Sequence, residues 1–176
     1  MGNCNCGELP LKRMFEILEQ SIVNRHEMGA VIRDDCNIGK TIEGEKGSIK
    51  GAKLGPLDAN DFAFYHTHPG SYAYLSAGDI LAQAEYDHPM ECVGAINDER
   101  DGLVIRCFSA PEGKEWDDIV AREKAMAKSA LAVGGENVIL TPTFIKEWGK
   151  LLKEAEVLAV DATLLRKTCE FTKKFS

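Results

Sequence analysis

The sequence predicts an α/β domain. Segments with helical spacing alternate along the chain with short apolar runs of strand character, the pattern of a sheet covered by helices. At 176 residues and 44% hydrophobic content, the chain is long enough to bury a real core, so one domain spanning residues 1–176 is expected.

The first element is a helix. Pro10 suits a first helical position, and Leu11, Met14, Leu18 and Ile22 follow at helical spacing, carrying the helix to about Asn24. The run from His26 to Arg33 reads as a strand stopped by Asp34 and Asp35. Residues 37–56 are polar and punctuated by Gly39, Gly44, Gly47, Gly51 and Gly55, which predicts hairpins and loops with short strands around Thr41-Ile42 and Ser48-Ile49. An aromatic strand at 62–68 is stopped by Pro69-Gly70, and a helix follows from Ser76 to about Tyr86. Cys92–Ile96 and Leu103–Phe108, joined by a turn, predict an antiparallel hairpin. Trp116, Ile119, Val120 and Leu131 mark a helix over about 115–132, closed by Gly134-Gly135, and Thr141-Pro142 opens the last one. Along that last helix Phe144, Trp148, Leu151, Ala155, Leu158, Ala162, Leu165 and Cys169 alternate steps of four and three. Such a seam serves either a homodimer through this helix or packing on the domain's own sheet; its alanines and cysteine favour the second.

A net charge of −7 argues against nucleic acid as a partner, because phosphate binding needs clustered Lys and Arg. No apolar run approaches the roughly 20 residues of a membrane span, and the N-terminus lacks the apolar core of a signal peptide, so a cytoplasmic protein with no membrane partner is expected. The six cysteines, at 4, 6, 36, 92, 107 and 169, are accordingly read as reduced, with Cys92 and Cys107 in the core. Cys4 and Cys6 are too short and isolated a pair for a zinc knuckle. Met1-Gly2-Asn3-Cys4 hints at acylation, but Cys6 stands where that signal has Ser or Thr.

The chemistry concentrates in Phe62–Asp79. On a strand, His66 and His68 present both imidazoles to one face while Thr67 faces the other. After seven intervening residues come Ser76 and, in the first turn of the next helix, Asp79. Two nitrogens and a carboxylate oxygen suit zinc, and three protein ligands leave a fourth position open for chemistry. Ser76 and Asp79 also read as a plain helix start, an N-cap serine with an acid three residues on, and both readings can hold together. Of the other histidines, His26 reads as a surface or core residue and His88 as a turn residue.

The pattern His-x-His, seven residues, Ser-x-x-Asp, with its Tyr65–Gly70 flank, resembles the signature of the JAMM (MPN-plus) metalloproteases. The resemblance covers about residues 9–110. It implies a mixed curved sheet flanked by helices, the MPN core with its cytidine-deaminase-like layout, to which helices over 115–175 would be a C-terminal addition. It further implies Zn2+ on His66, His68 and Asp79, and hydrolysis of an amide or isopeptide bond in conjugates of a ubiquitin-like or sulfur-carrier protein. Family members draw a general base from a glutamate on an earlier strand, here Glu27, with Glu43 and Glu45 as rivals. Many members carry a glycine three residues after that glutamate, whereas Gly29 follows Glu27 at two. Ser76 would aim its hydroxyl at the oxyanion of the tetrahedral intermediate. Two other readings are a scaffold MPN domain without catalysis, against which the intact ligand set weighs, and a small-substrate zinc hydrolase or deaminase, for which the Pro-Cys-x-x-Cys ligand pair is absent.

Overall fold

The computed structural model describes residues 9–44, 61–70, 72–134 and 142–176. In chain order the elements are α1 (Leu11–Asn24), β1 (Met28–Arg33), β2 (Ile42–Glu43), β3 (Asp61–Thr67), α2 (Ala77–Tyr86), β4 (Met90–Ile96), β5 (Gly102–Ser109), α3 (Lys114–Gly134), α4 (Pro142–Leu164) and β6 (Thr168–Lys174). The strands form one mixed sheet in the order β2-β1-β3-β4-β5-β6. Among the described strands, only β3 and β4 pair in parallel, because α2 carries the chain back across the sheet between them; the other described pairings are antiparallel.

Two cores follow from the alternation of side chains along these strands. On one face, Met14, Ile17 and Leu18 of α1 bury against Ala30, Ile32, Ala63, Tyr65, Cys92 and Ile105. On the other, Ile80 of α2 and Ala159 and Ala162 of α4 bury against Val93, Ala95, Val104 and Phe108. The expected helix–sheet–helix layering and the β4–β5 hairpin are therefore present, and the described part of α4 covers the chain's own sheet.

The last element differs from expectation. The seam does not run on to Cys169, since α4 ends at Leu164 and residues 168–174 form the edge strand β6 on β5. Leu165, expected in the seam, is 84% exposed. Arg166 is drawn inward instead, its Nε donating to Ser109 O at 2.9 Å, and this tie turns the chain from helix into strand. The side chains of Phe144 and Trp148 lie outside the description, as do the Cys4/Cys6 pair, Glu45 and the strand expected around Ser48-Ile49.

The expectation of reduced thiols fails at Cys92, Cys107 and Cys169. Cys92 and Cys107 face one another across β4 and β5 with Cα atoms 4.0 Å apart, and they form a disulfide; Cys169 is disulfide-bonded as well. Strand register makes this bond, and register is not written in cysteine spacing. Both Cys92 and Cys107 are fully buried, as expected.

Close packing holds β3 and β4 together beside the histidines. A Cβ on Gly94 would sit 2.6 Å from Tyr65 Oη, whose hydroxyl is fixed by donating to Met14 O at 2.8 Å. Gly94→Ala is therefore expected to lower unfolding stability by about 1–3 kcal/mol, the usual cost of overpacking. Urea denaturation checks it, and Tyr65→Phe in the same chain should recover part of the loss.

Candidate metal centre

Strand β3 is buried along nearly its whole length, which fixes its register and so the direction of each side chain. Thr67 points toward α1, where its hydroxyl accepts from Met28 N at 2.9 Å and bonds Ser21 Oγ at 2.5 Å. His66 and His68 point the other way, with ring centroids 4.8 Å apart. Backbone capping brings the third group: Ser76 Oγ accepts from Asp79 N, and Asp79 Oδ2 accepts from Ser76 N at 2.8 Å, a capping box that seats the carboxylate at the start of α2. Ser76 thus caps the helix as read from sequence, and as a cap it uses an acceptor lone pair and leaves its O–H free to donate.

Three atoms converge. His66 Nε2 lies 3.0 Å from His68 Nε2 and 3.1 Å from Asp79 Oδ2, and His68 Nε2 lies 3.4 Å from that same oxygen. Both rings are buried, while the Asp79 side chain is 23% exposed, so the cluster opens to solvent on the carboxylate side. His68 Nδ1 is 2.8 Å from Tyr72 O. A carbonyl only accepts, so Nδ1 carries the proton and Nε2 of the neutral ring offers a lone pair to the cluster.

Lone pairs and a carboxylate at these separations repel unless a cation lies among them. Burial disfavours a charged His66 ring, yet Asp79 and then Glu91 outweigh it and hold its basicity well above the ordinary histidine value. Burial likewise works to raise Asp79, but His66 and His68 hold its carboxyl well below the usual carboxylate range. A metal ion satisfies all three atoms at once. Donors of a tetrahedral site with ligand distances of about 2.0–2.1 Å lie roughly 3.3 Å apart, close to the separations seen here. Among the described residues, His66, His68 and Asp79 are the group able to hold a metal ion in this way.

Glu27 sits just before β1. The β1–β3 register pairs Gly29 with His66, and carried two residues further it sets Glu27 level with His68 on the same face of the sheet. Burial pushes the Glu27 carboxyl above its usual range; His66 and His68 pull it down, and Asp79 pushes it up again, so all three belong to its surroundings. The rival Glu43 is half exposed and pairs with the exposed His26 at 3.4 Å. His26 lies on the surface, one of the two places that the sequence left open to it.

No family model and no curated protein matches the chain.

Two residues at the site were not foreseen. Glu91, on β4 beside Phe64 of β3, is 2% exposed; its Oε1 is 3.2 Å from His66 Nδ1 and its Oε2 is 3.6 Å from His88 Nδ1. His88 does follow a turn, closed by the left-handed Asp87, but it is buried against Glu91 rather than set on a surface loop. The sequence held one signal for Glu91, an acid between Met90 and Cys92 at the mouth of an apolar strand, where a charge is costly unless partnered. Arg166 supplies further charge: burial lowers its guanidinium to about 10, against the opposing pull of Glu91, and it bonds Gln83 of α2.

Proposed function

We propose that this chain is a zinc-dependent hydrolase of amide or isopeptide bonds, acting on conjugates of a ubiquitin-like or sulfur-carrier protein. The observation that supports it most is the convergence of His66 Nε2, His68 Nε2 and Asp79 Oδ2, with Glu27 electrostatically coupled to all three. The spacing of His66, His68, Ser76 and Asp79, which resembles the JAMM pattern, selects this chemistry among those a histidine–carboxylate centre can support. Two nitrogens and one oxygen with an open position favour zinc over the oxygen-loving cations.

When bound, zinc supplies Lewis-acid polarisation of the scissile carbonyl and lowers the pKa of the attacking water. His66, His68 and Asp79 are the residues that would hold it. Glu27 accepts the proton of the attacking water and returns it to the leaving amine; its raised pKa brings it nearer to neutral, where both transfers are efficient. Ser76 donates its free O–H to the developing oxyanion while its lone pair continues to cap α2.

Ser76→Ala separates those two roles. The lost cap is expected to reduce stability by about 1 kcal/mol, and the lost oxyanion donor to reduce kcat by about 10²–10³-fold. A stability change with unchanged kcat would leave Ser76 as a cap alone.

The whole reading is tested by incubating the protein with lysine-linked conjugates of ubiquitin-like proteins ending in Gly-Gly, with and without a chelator. Release of the modifier that stops on chelation and returns with zinc is expected. A protein that holds zinc yet is inert on every conjugate would turn the reading toward a scaffold or a small-substrate hydrolase.

A further inference from the structure

We propose that Glu91 is the positioning residue of the metal centre. It accepts the Nδ1 proton of His66 and so fixes the ring in the tautomer and orientation that present Nε2 to the metal. This rests on the reading of His66, His68 and Asp79 as metal ligands.

The two ligand histidines solve the same problem in different ways. Each must keep its proton on Nδ1 if Nε2 is to be a donor to a cation. His68 does so against a backbone carbonyl, Tyr72 O. His66 lies in the middle of the sheet, where the backbone carbonyls of β3 and its neighbours are spent on the ladder, so a side chain has to serve. His66 Nδ1 is buried and has no aligned acceptor among the described residues, and Glu91 Oε1 lies within reach at 3.2 Å. A small rotation of the carboxylate completes the bond.

Parallel pairing of β3 with β4 puts Glu91 in this place. Phe64 is its register partner, and His66 is two residues further along the same face. The carboxylate lies against His66 and against His88 Nδ1 at 3.6 Å, and in the field of the Arg166 charge. Arg166 in turn donates to Ser109 O and bonds Gln83, whose amide donates to His88 O at 3.2 Å. A buried carboxylate with so many cationic and polar partners at the back of a ligand ring is the usual arrangement of an outer support to a metal site. Without this role, the placement of an acid on a wholly buried strand would only be a cost.

The test compares wild type with Glu91→Gln and Glu91→Leu. Zinc affinity is measured by competition with a chromophoric chelator, and the His66 tautomer by ring nitrogen NMR of the metal-free protein at a pH where the ring is neutral. Glutamine keeps an oxygen that can accept from Nδ1, so Glu91→Gln should retain the Nδ1–H tautomer and most of the affinity. Glu91→Leu should lose the tautomer preference and about 10–100-fold in zinc affinity. A residue that merely packed would change stability and leave both readouts alone. A Glu91→Leu chain that cannot fold with the buried Arg166 charge uncompensated is replaced by Glu91→Leu with Arg166→Met, which removes both charges. Unchanged affinity in a folded leucine variant overturns the proposal, as does a wild-type His66 carrying its proton on Nε2. A wild type that takes up no zinc at all defeats the metal reading instead, and the tautomer still decides the role of Glu91.

Discussion

Glu27→Gln is expected to keep the fold and the metal content while hydrolysis falls by about 10²–10⁴-fold, the usual cost of removing a general base. Glutamine matches glutamate in shape and can still accept a hydrogen bond, but it cannot take a proton from water at neutral pH. The position matters as much as the chemistry. Glu27 stands level with His68 by strand register and feels His66, His68 and Asp79, whereas Glu43 is engaged with His26 at the surface. Single-turnover cleavage of a lysine-linked conjugate, with metal content determined on the same samples, makes the comparison. Equal cleavage by wild type and variant would move the base elsewhere, to Glu43 or Glu45, and would undo the alignment of the first strand.

The second large effect is expected from Asp79→Ala. Zinc in four-ligand protein sites is worth about 10–16 kcal/mol, or roughly 3 kcal/mol per ligand, so losing this carboxylate should weaken binding by about 10²-fold or more. Metal that survives dialysis in wild type should be lost from the variant. The structural cost is separable and small. Ser76 Oγ still accepts from the backbone N–H of residue 79, while the bond from Ser76 N to the carboxylate and the acid at the third helical position are lost, together worth about 1–2 kcal/mol. Elemental analysis beside urea denaturation therefore distinguishes a ligand from a helix cap. Equal metal in both proteins would reject the assignment of Asp79.

What could be read in the sequence was whatever depends on local period. His66 and His68 share a face because β3 is a strand, and Ser76 and Asp79 meet because a helix begins there; neither needs knowledge of the rest of the fold. What escaped depends on which strands lie side by side. Glu91 reaches His66 only because β4 pairs in parallel with β3, and Cys92 meets Cys107 only in the register of the β4–β5 hairpin. The last helix was overread for a related reason. Steps of three and four continued on paper through Leu165 to Cys169, but β5 offered an open edge, and Thr168, Phe171 and Thr172 have the β-branched and aromatic character that suits it. Tertiary pairing overrode a local period that had become weak.

His66 Nε2, His68 Nε2 and Asp79 Oδ2 are expected to bind one zinc ion per chain. Anomalous diffraction above and below the zinc absorption edge, from crystals of protein purified with zinc, tests it most directly. The expected result is a single zinc-specific peak within about 2.0–2.2 Å of all three atoms, with Glu91 aligned on His66 Nδ1 behind it. A peak on other residues, or none at this cluster in zinc-saturated protein, would contradict the account.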